Sequence, residues 1–168
     1  MIKINLGCGK DIKKGWINVD KINYDGVDVV HDLNKFPYPF PSNYADYILM
    51  KHVLEHLDDV VKVIEECYRI LKPKGILDIY VPYYKSKKAF RDPTHKHFFT
   101  EDTMKYFTKE WKWRYTNATF KILKFEKFRN GFPFWHIETY LKKFFKINIQ
   151  LRVPFFPDNL HWILQAEK

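Results

Sequence analysis

The sequence predicts an α/β domain built on a doubly wound, mostly parallel sheet, with an antiparallel last strand and a shortened first helix. Three observations carry this expectation. Short apolar runs alternate with turn or helical segments, the pattern of a layered α/β unit rather than a sandwich or a bundle. Several of these runs end directly on Gly or Asp, as strands do when they deliver polar groups to one edge of a sheet. The chain has 168 residues, 46% of them hydrophobic and 18% aromatic, enough for one core, which excludes disordered and low-complexity classes. Residues 1–168 therefore read as a single domain, with about 1–82 as a ligand-binding half and about 83–168 as cover and a second binding surface.

The elements follow in order. Ile2 to Leu6 alternates apolar and polar and stops at Gly7; Trp16 to Val19 ends at Asp20; Gly26 to His31 ends at Asp32. Residues 35–43 hold three prolines and form a loop. Ala45 to Met50 is a fourth strand. Asp58 or Asp59 can cap a helix with Val60, Val61, Ile64, Tyr68 and Leu71 on one stripe, stopped by Pro73 and Gly75. Ile76 to Val81 is a fifth strand, ended by Pro82. Thr100 can cap a further helix through Met104, and Phe120 to Phe128 and Leu160 to Ala166 complete the strands. Between these last two, Ile137, Tyr140, Leu141, Phe144 and Phe145 fit an amphipathic helix flanked by Lys142, Lys143 and Lys146. Only residues 7–15 separate the first two strands, fewer than the ~10–12 that a parallel crossover with its helix needs, so the first helix is short or missing.

Composition narrows the setting. Cys8 lies in a glycine turn and Cys67 in a helical pattern, and no Cys-x-x-Cys occurs, which points to a reducing, cytoplasmic location. No apolar run approaches the ~20 residues of a membrane span, and Met1 leads into a strand rather than a signal peptide. The net charge of +9 is concentrated beyond residue 82. That excess suits an anionic partner such as RNA, or is a solvated lysine-rich surface.

The chemistry concentrates where strands end. A glycine turn after a first strand lets backbone N–H groups approach a ligand closely. Asp20 and Asp32 end the next two strands and should join that turn at the carboxyl edge of the sheet, where nucleotides bind. One carboxylate there can accept both hydroxyls of a ribose, and another can accept from an adenine amino group.

The ordered series Asn5-Leu6-Gly7-Cys8-Gly9, Asp20, Asp32-Leu33, His52-Val53-Leu54-Glu55-His56 and Leu71-Lys72-Pro73-Lys74-Gly75, closing at Val81-Pro82, resembles class I (Rossmann-like) S-adenosylmethionine-dependent methyltransferases. The resemblance covers residues 2–82 and implies S-adenosyl-L-methionine as cofactor. It implies that Asn5, Gly7, Cys8 and Gly9 form the turn beside the methionine part, that Asp20 holds the ribose, and that Asp32 with Leu33 meets the adenine. Lys51 and His52 would lie beside the methyl group. Two departures stand out: Asn5 replaces the usual acid, and Asp11 occupies the third glycine place.

Other readings of the same residues are weaker. A dinucleotide site fails because Ile12 stands at the third glycine of Gly-x-Gly-x-x-Gly and Asp20 comes sooner than the expected ~20-residue spacing. His52 to His56 also spells His-x-x-Glu-His, the order of inverted zinc peptidases, but that reading lacks a third ligand and no metal is assigned. In Asp92-Pro93-Thr94-His95-Lys96-His97, a segment similar to a loop of small methyltransferases, His95 is a candidate base or only shapes the loop; His52 is a second candidate. The acceptor is expected to be a small molecule or glycan-type oxygen or nitrogen, in a pocket to which Tyr83, Tyr84, Phe98, Phe99, Trp111, Trp113 and Trp135 could contribute. An RNA acceptor and a non-catalytic binder are the alternatives.

Overall fold

The computed structural model describes residues 1–128 and 157–168. Its strands are β1 (Lys3–Leu6), β2 (Ile17–Asp20), β3 (Val29–Val30), β4 (Ala45–Lys51), β5 (Leu71–Pro82), β6 (Phe120–Phe128) and β7 (Asn159–Ala166). They form one sheet in the order β3-β2-β1-β4-β5-β7-β6. The first five run parallel, and β7 lies antiparallel between β5 and β6, as expected of the last strand.

Side-chain alternation makes the sheet two-faced. Ile4, Ile48, Met50, Leu77, Ile79 and Trp162 share one face and are fully shielded from water. The opposite face carries Asn5, Tyr47, Asp78, Tyr80 and His161. There the Tyr47 hydroxyl donates to Asp78, whose Oδ1 lies 2.7 Å from His161 Nε2, and Tyr80 stacks on the His161 ring at 4.0 Å. Burial pushes the Tyr47 hydroxyl pKa up, and donation to Asp78 pushes it further.

The apolar face is covered by α1 (Val60–Ile70), whose Val63, Ile64, Cys67 and Ile70 are buried, with Cys67 Sγ 3.9 Å from Met50 Sδ. Asp59 caps it by accepting from the Lys62 N–H at 3.0 Å. The helix stops one residue short of Leu71, which takes extended backbone and pairs with Ala45. Pro73 explains the early stop, since its ring disfavours helical backbone at Lys72 and crowds the carbonyl four residues back.

The proline-rich loop 35–43 lies on this face too. It is tied to α1 by Arg69, which donates to the carbonyls of Phe40 (2.8 Å) and Tyr38 (3.2 Å), while Glu66 accepts from the Tyr38 N–H at 2.7 Å. Burial works against the Glu66 charge, but the Arg69 and Tyr38 hydrogen bonds outweigh it and hold its carboxyl below the usual range. Its stabilisation is therefore present above the ordinary glutamate pKa of ~4.3 and is lost as pH falls through the lowered value. Arg69→Ala should destabilise the fold by roughly 1–3 kcal/mol in chemical denaturation, by stripping these loop carbonyls of a charged donor.

Two expected elements are smaller than the sequence suggests. No helix forms between β1 and β2: residues 7–16 are turns and irregular backbone, so of the short or missing first helix the crossover allows, it is the missing one that occurs. Asn5 and Asn18, buried side by side on the polar face, take its place. Asn5 Nδ2 donates to the Asp11 carbonyl at 2.9 Å, and Asn18 Oδ1 accepts from the Lys13 N–H at 2.9 Å. The third strand shrinks to two residues because the Asp28 carboxylate accepts the Asn18 N–H at 2.7 Å, a place a strand carbonyl would otherwise fill. Beyond β5 come α2 (Lys87–Arg91) and a short 3-10 helix, Thr103–Phe107, where the sequence suggests a start at Thr100. The stripe from Ile137 to Phe145, and Trp135, lie outside the described residues.

Candidate functional site

The parallel strands deliver their ends to one edge, as the topology requires. A cavity of about 580 Å³ opens there, lined by Gly7, Asp20, Asp32, Leu33, His52, Val53 and neighbours from the 93–96 segment. Its size suits a small organic ligand.

Each lining group is held from behind. Asp20 Oδ2 accepts the Gly9 N–H at 2.8 Å and Oδ1 accepts the Ile22 N–H at 3.0 Å. A carboxylate has about four lone-pair sites, so acceptor capacity remains toward the cavity. Asp32 turns the chain by accepting from the Asn34 N–H at 3.0 Å, and the Tyr38 hydroxyl fixes the Leu33 carbonyl at 2.9 Å. Gly7 has φ +67°, and a Cβ there would lie 2.5 and 2.6 Å from the two Val53 methyls. Glycine is thus required twice at this position, by conformation and by contact.

His52 follows β4 with φ +55°, an uncommon backbone state for a histidine, and its N–H donates to the Tyr80 carbonyl at 2.9 Å. The turn throws its ring between the first cavity and a second one of about 510 Å³. The second is lined by His52, Glu55, His56, Lys88, Arg91, His95 and Asn159, together with Asp92 and Pro93. His52, His56 and Pro93 border both cavities.

Four residues expected beside the cofactor do not line the first cavity. Asn5 is buried, its amide spent on the helix-less crossover. Cys8 is buried, and burial, reinforced by Asp20, pushes its thiol pKa up. Gly9 serves through its N–H, which positions Asp20. Lys51 points to solvent, 3.4 Å from Asp11. Nor do the expected aromatics among the described residues line the second cavity: Tyr83 and Phe99 belong to the core, while Phe98 and Trp113 are exposed.

The second cavity holds what sequence spacing alone did not reveal. Glu55 sits in a single 3-10 turn, Leu54–His56, and is 1% exposed. Its Oε1 is 3.3 Å from His52 Nδ1, outside hydrogen-bond geometry, and neither oxygen finds a donor among the described residues. Both side-chain polar atoms of Asn159, fully buried, are also without partners among the described residues. The Glu55 carbonyl accepts the N–H groups of Lys96 (2.8 Å) and His97 (3.3 Å), which docks the 92–97 segment over the site. His95 therefore reaches the cavity, whereas His97 turns toward the Asp58 carbonyl. The inverted-peptidase pattern does not form, because His52 lies outside the turn that carries His56.

Residues 6–79 match the family model described as a methyltransferase domain. A demethylmenaquinone methyltransferase of Listeria welshimeri is 35% identical over 66 residues, which is 39% of this chain and 28% of that protein. A probable S-adenosylmethionine-dependent methyltransferase of Mycolicibacterium smegmatis is 28% identical over 118 residues, 59% of this chain and 45% of its own length. The matched stretch thus spans less than half the length of either curated relative. A solved S-adenosylmethionine-dependent methyltransferase from Archaeoglobus fulgidus covers 97% of this chain and 85% of its own at a TM-score of 0.61, and at 22% identity the likeness is one of fold. The family match runs across the Gly7 turn, Asp20 and Asp32, and the sheet order gathers those groups at one cavity; over residues 6–79 the chain is similar to a methyltransferase domain.

Proposed function

We propose that the protein binds S-adenosyl-L-methionine in the first cavity and transfers its methyl group to an oxygen or nitrogen of a small-molecule or glycan-type acceptor in the second. The observation that carries this reading is the position of His52, whose ring borders both cavities. The first cavity fits the cofactor: Gly7 clears backbone for close approach, and Asp20 keeps lone pairs free for two ribose hydroxyls. When bound, the cofactor supplies a methyl group already activated by the sulfonium charge, so placement of the nucleophile can do much of the catalysis.

The chain's own groups then position the acceptor and take its proton. Arg91 gives the second cavity a cationic group suited to an anionic acceptor, whereas Lys88 is paired with Asp158 at 3.1 Å. His52, with Glu55 beside Nδ1, is the group placed to accept a proton at Nε2, and the buried carboxylate stabilises the imidazolium that results. His52→Asn, which tolerates the positive φ, should lower kcat by about 10²-fold. His95→Ala should also lower turnover but leave cofactor affinity within about twofold, since His95 does not line the first cavity. Both are read from the rate of S-adenosylhomocysteine release and from calorimetric cofactor titration. Mass spectrometry of acceptor pools incubated with labelled cofactor tests the whole reading: a labelled product heavier by one methylene supports it, and cofactor binding with no labelled small molecule in any pool counts against a small acceptor.

The concentration of positive charge beyond residue 82 favours RNA as the second reading. It predicts affinity for RNA that falls steeply with salt. Among the described residues no helix is long and apolar enough to cross a membrane. Both cysteines are buried and free, which supports a reducing, cytoplasmic setting.

A further inference from the structure

We infer that Glu55, His56 and His95 form a binding site for a divalent transition-metal ion in the second cavity. One donor atom from each lies within 4.8 Å of the others. A filled tetrahedral site with bonds of about 2.1 Å sets its donors about 3.4 Å apart, so binding requires side-chain movements of roughly 1 Å.

The hydrogen bonds around the two imidazoles select the tautomer that metal binding needs. His95 Nδ1 lies 2.8 Å from the Ala89 carbonyl, which can only accept, so Nδ1 carries the proton and Nε2 keeps its lone pair. His56 Nδ1 lies 2.9 Å from Thr94 Oγ1, and the Thr94 hydroxyl hydrogen is directed to Asp92 Oδ1 at 2.7 Å. The Thr94 oxygen therefore accepts from His56, whose Nε2 is likewise free. Outer partners that hold metal-binding histidines do so in this way, through carbonyls and carboxylates. The third donor, Glu55, is a buried carboxylate without a hydrogen-bond donor, a costly arrangement that a cation would relieve. Asn159, buried and also unpartnered, lines the same cavity. Two histidines and a glutamate suit zinc or a similar ion and leave a fourth position facing the cavity, where an acceptor oxygen or nitrogen would bind. Lys88, the near cation on this wall, is neutralised by Asp158 at 3.1 Å.

This deepens the acceptor-cavity reading, and its test needs no turnover. The chelator-treated full chain is titrated with Co²⁺, followed by visible absorption, and then with Zn²⁺. One equivalent of Co²⁺ should give a saturable band that Zn²⁺ displaces. His56→Ala, His95→Ala and Glu55→Gln should each weaken Co²⁺ at least roughly tenfold, and Thr94→Val should weaken it by a similar factor through the outer partner alone. His31→Ala and His97→Ala should leave it unchanged. A band that survives the joint loss of His56 and His95, or no saturable band, overturns the site. Should those variants fail to fold, histidine-ring nitrogen resonances of the unaltered chain decide: Zn²⁺ must shift Nε2 of His56 and His95, and shifts confined to other histidines overturn the site. S-adenosylmethionine titrated in parallel separates the two readings. Intact cofactor binding without metal binding removes the metal site alone, whereas a cobalt band without cofactor binding upholds the metal site and removes the cofactor reading.

Discussion

Gly7→Ala should raise the dissociation constant for S-adenosylmethionine by at least about 100-fold, a loss of roughly 3 kcal/mol. Two independent costs add. The new Cβ would meet the Val53 methyls at 2.5 and 2.6 Å and Val53 Cβ at 3.1 Å. The φ of +67° would also strain any residue with a Cβ by about 1–2 kcal/mol. Val53 stands directly before the turn that carries Glu55, so the strain falls on the wall shared by both cavities. Adding Val53→Ala removes the two closest atoms but neither the 3.1 Å contact nor the backbone strain, and should restore affinity only in part. Circular dichroism and calorimetric titration of the single and double variants check this; wild-type affinity in Gly7→Ala would show that the turn does not face the cofactor.

The second large effect is expected at Asp20. Asp20→Ala would remove the acceptor proposed for two ribose hydroxyls and at the same time release the Gly9 and Ile22 N–H groups that the carboxylate holds. Charged hydrogen bonds contribute about 1.5–3 kcal/mol each, so cofactor affinity should fall by about 10²-fold or more. Asp20→Asn retains one acceptor oxygen and the shape of the turn, and should fall between the two. An unchanged dissociation constant for Asp20→Ala would remove the ribose assignment.

Much of the cofactor half is legible in the sequence because its signals are local. A strand that ends on Gly7, and others that stop at Asp20 and just before Asp32, need only parallel pairing to bring their ends together, and the observed register does so. The helix from Val60 is legible from its apolar period and its Asp59 cap, and only its last residue is misread, since Leu71 suits both a helical stripe and a strand.

What sequence reading misses depends on contacts distant in the chain. Asn5 looks like a cofactor residue with an unusual side chain. In the fold it compensates for the lost helix, bonding the Asp11 carbonyl across a crossover too short to satisfy itself. The second cavity is hidden for the same reason. His-x-x-Glu-His suggests a pair of histidines one helical turn apart, but the positive φ at His52 places it outside the 3-10 turn that carries His56, and His56 meets His95 from a distant loop, their ring centroids 4.7 Å apart. The one sequence signal for that meeting is the density of His, Asp and Thr between residues 92 and 97, which has no fixed spacing to the Glu55 turn.

Calorimetric titration of the unaltered chain with S-adenosylmethionine tests the central claim most directly. Saturable binding to one site, weakened by Asp20→Ala and retained in His95→Ala, is the predicted result. No heat and no thermal shift at ligand concentrations up to about 1 mM, where even weak one-site binding stabilises a fold measurably, would contradict it.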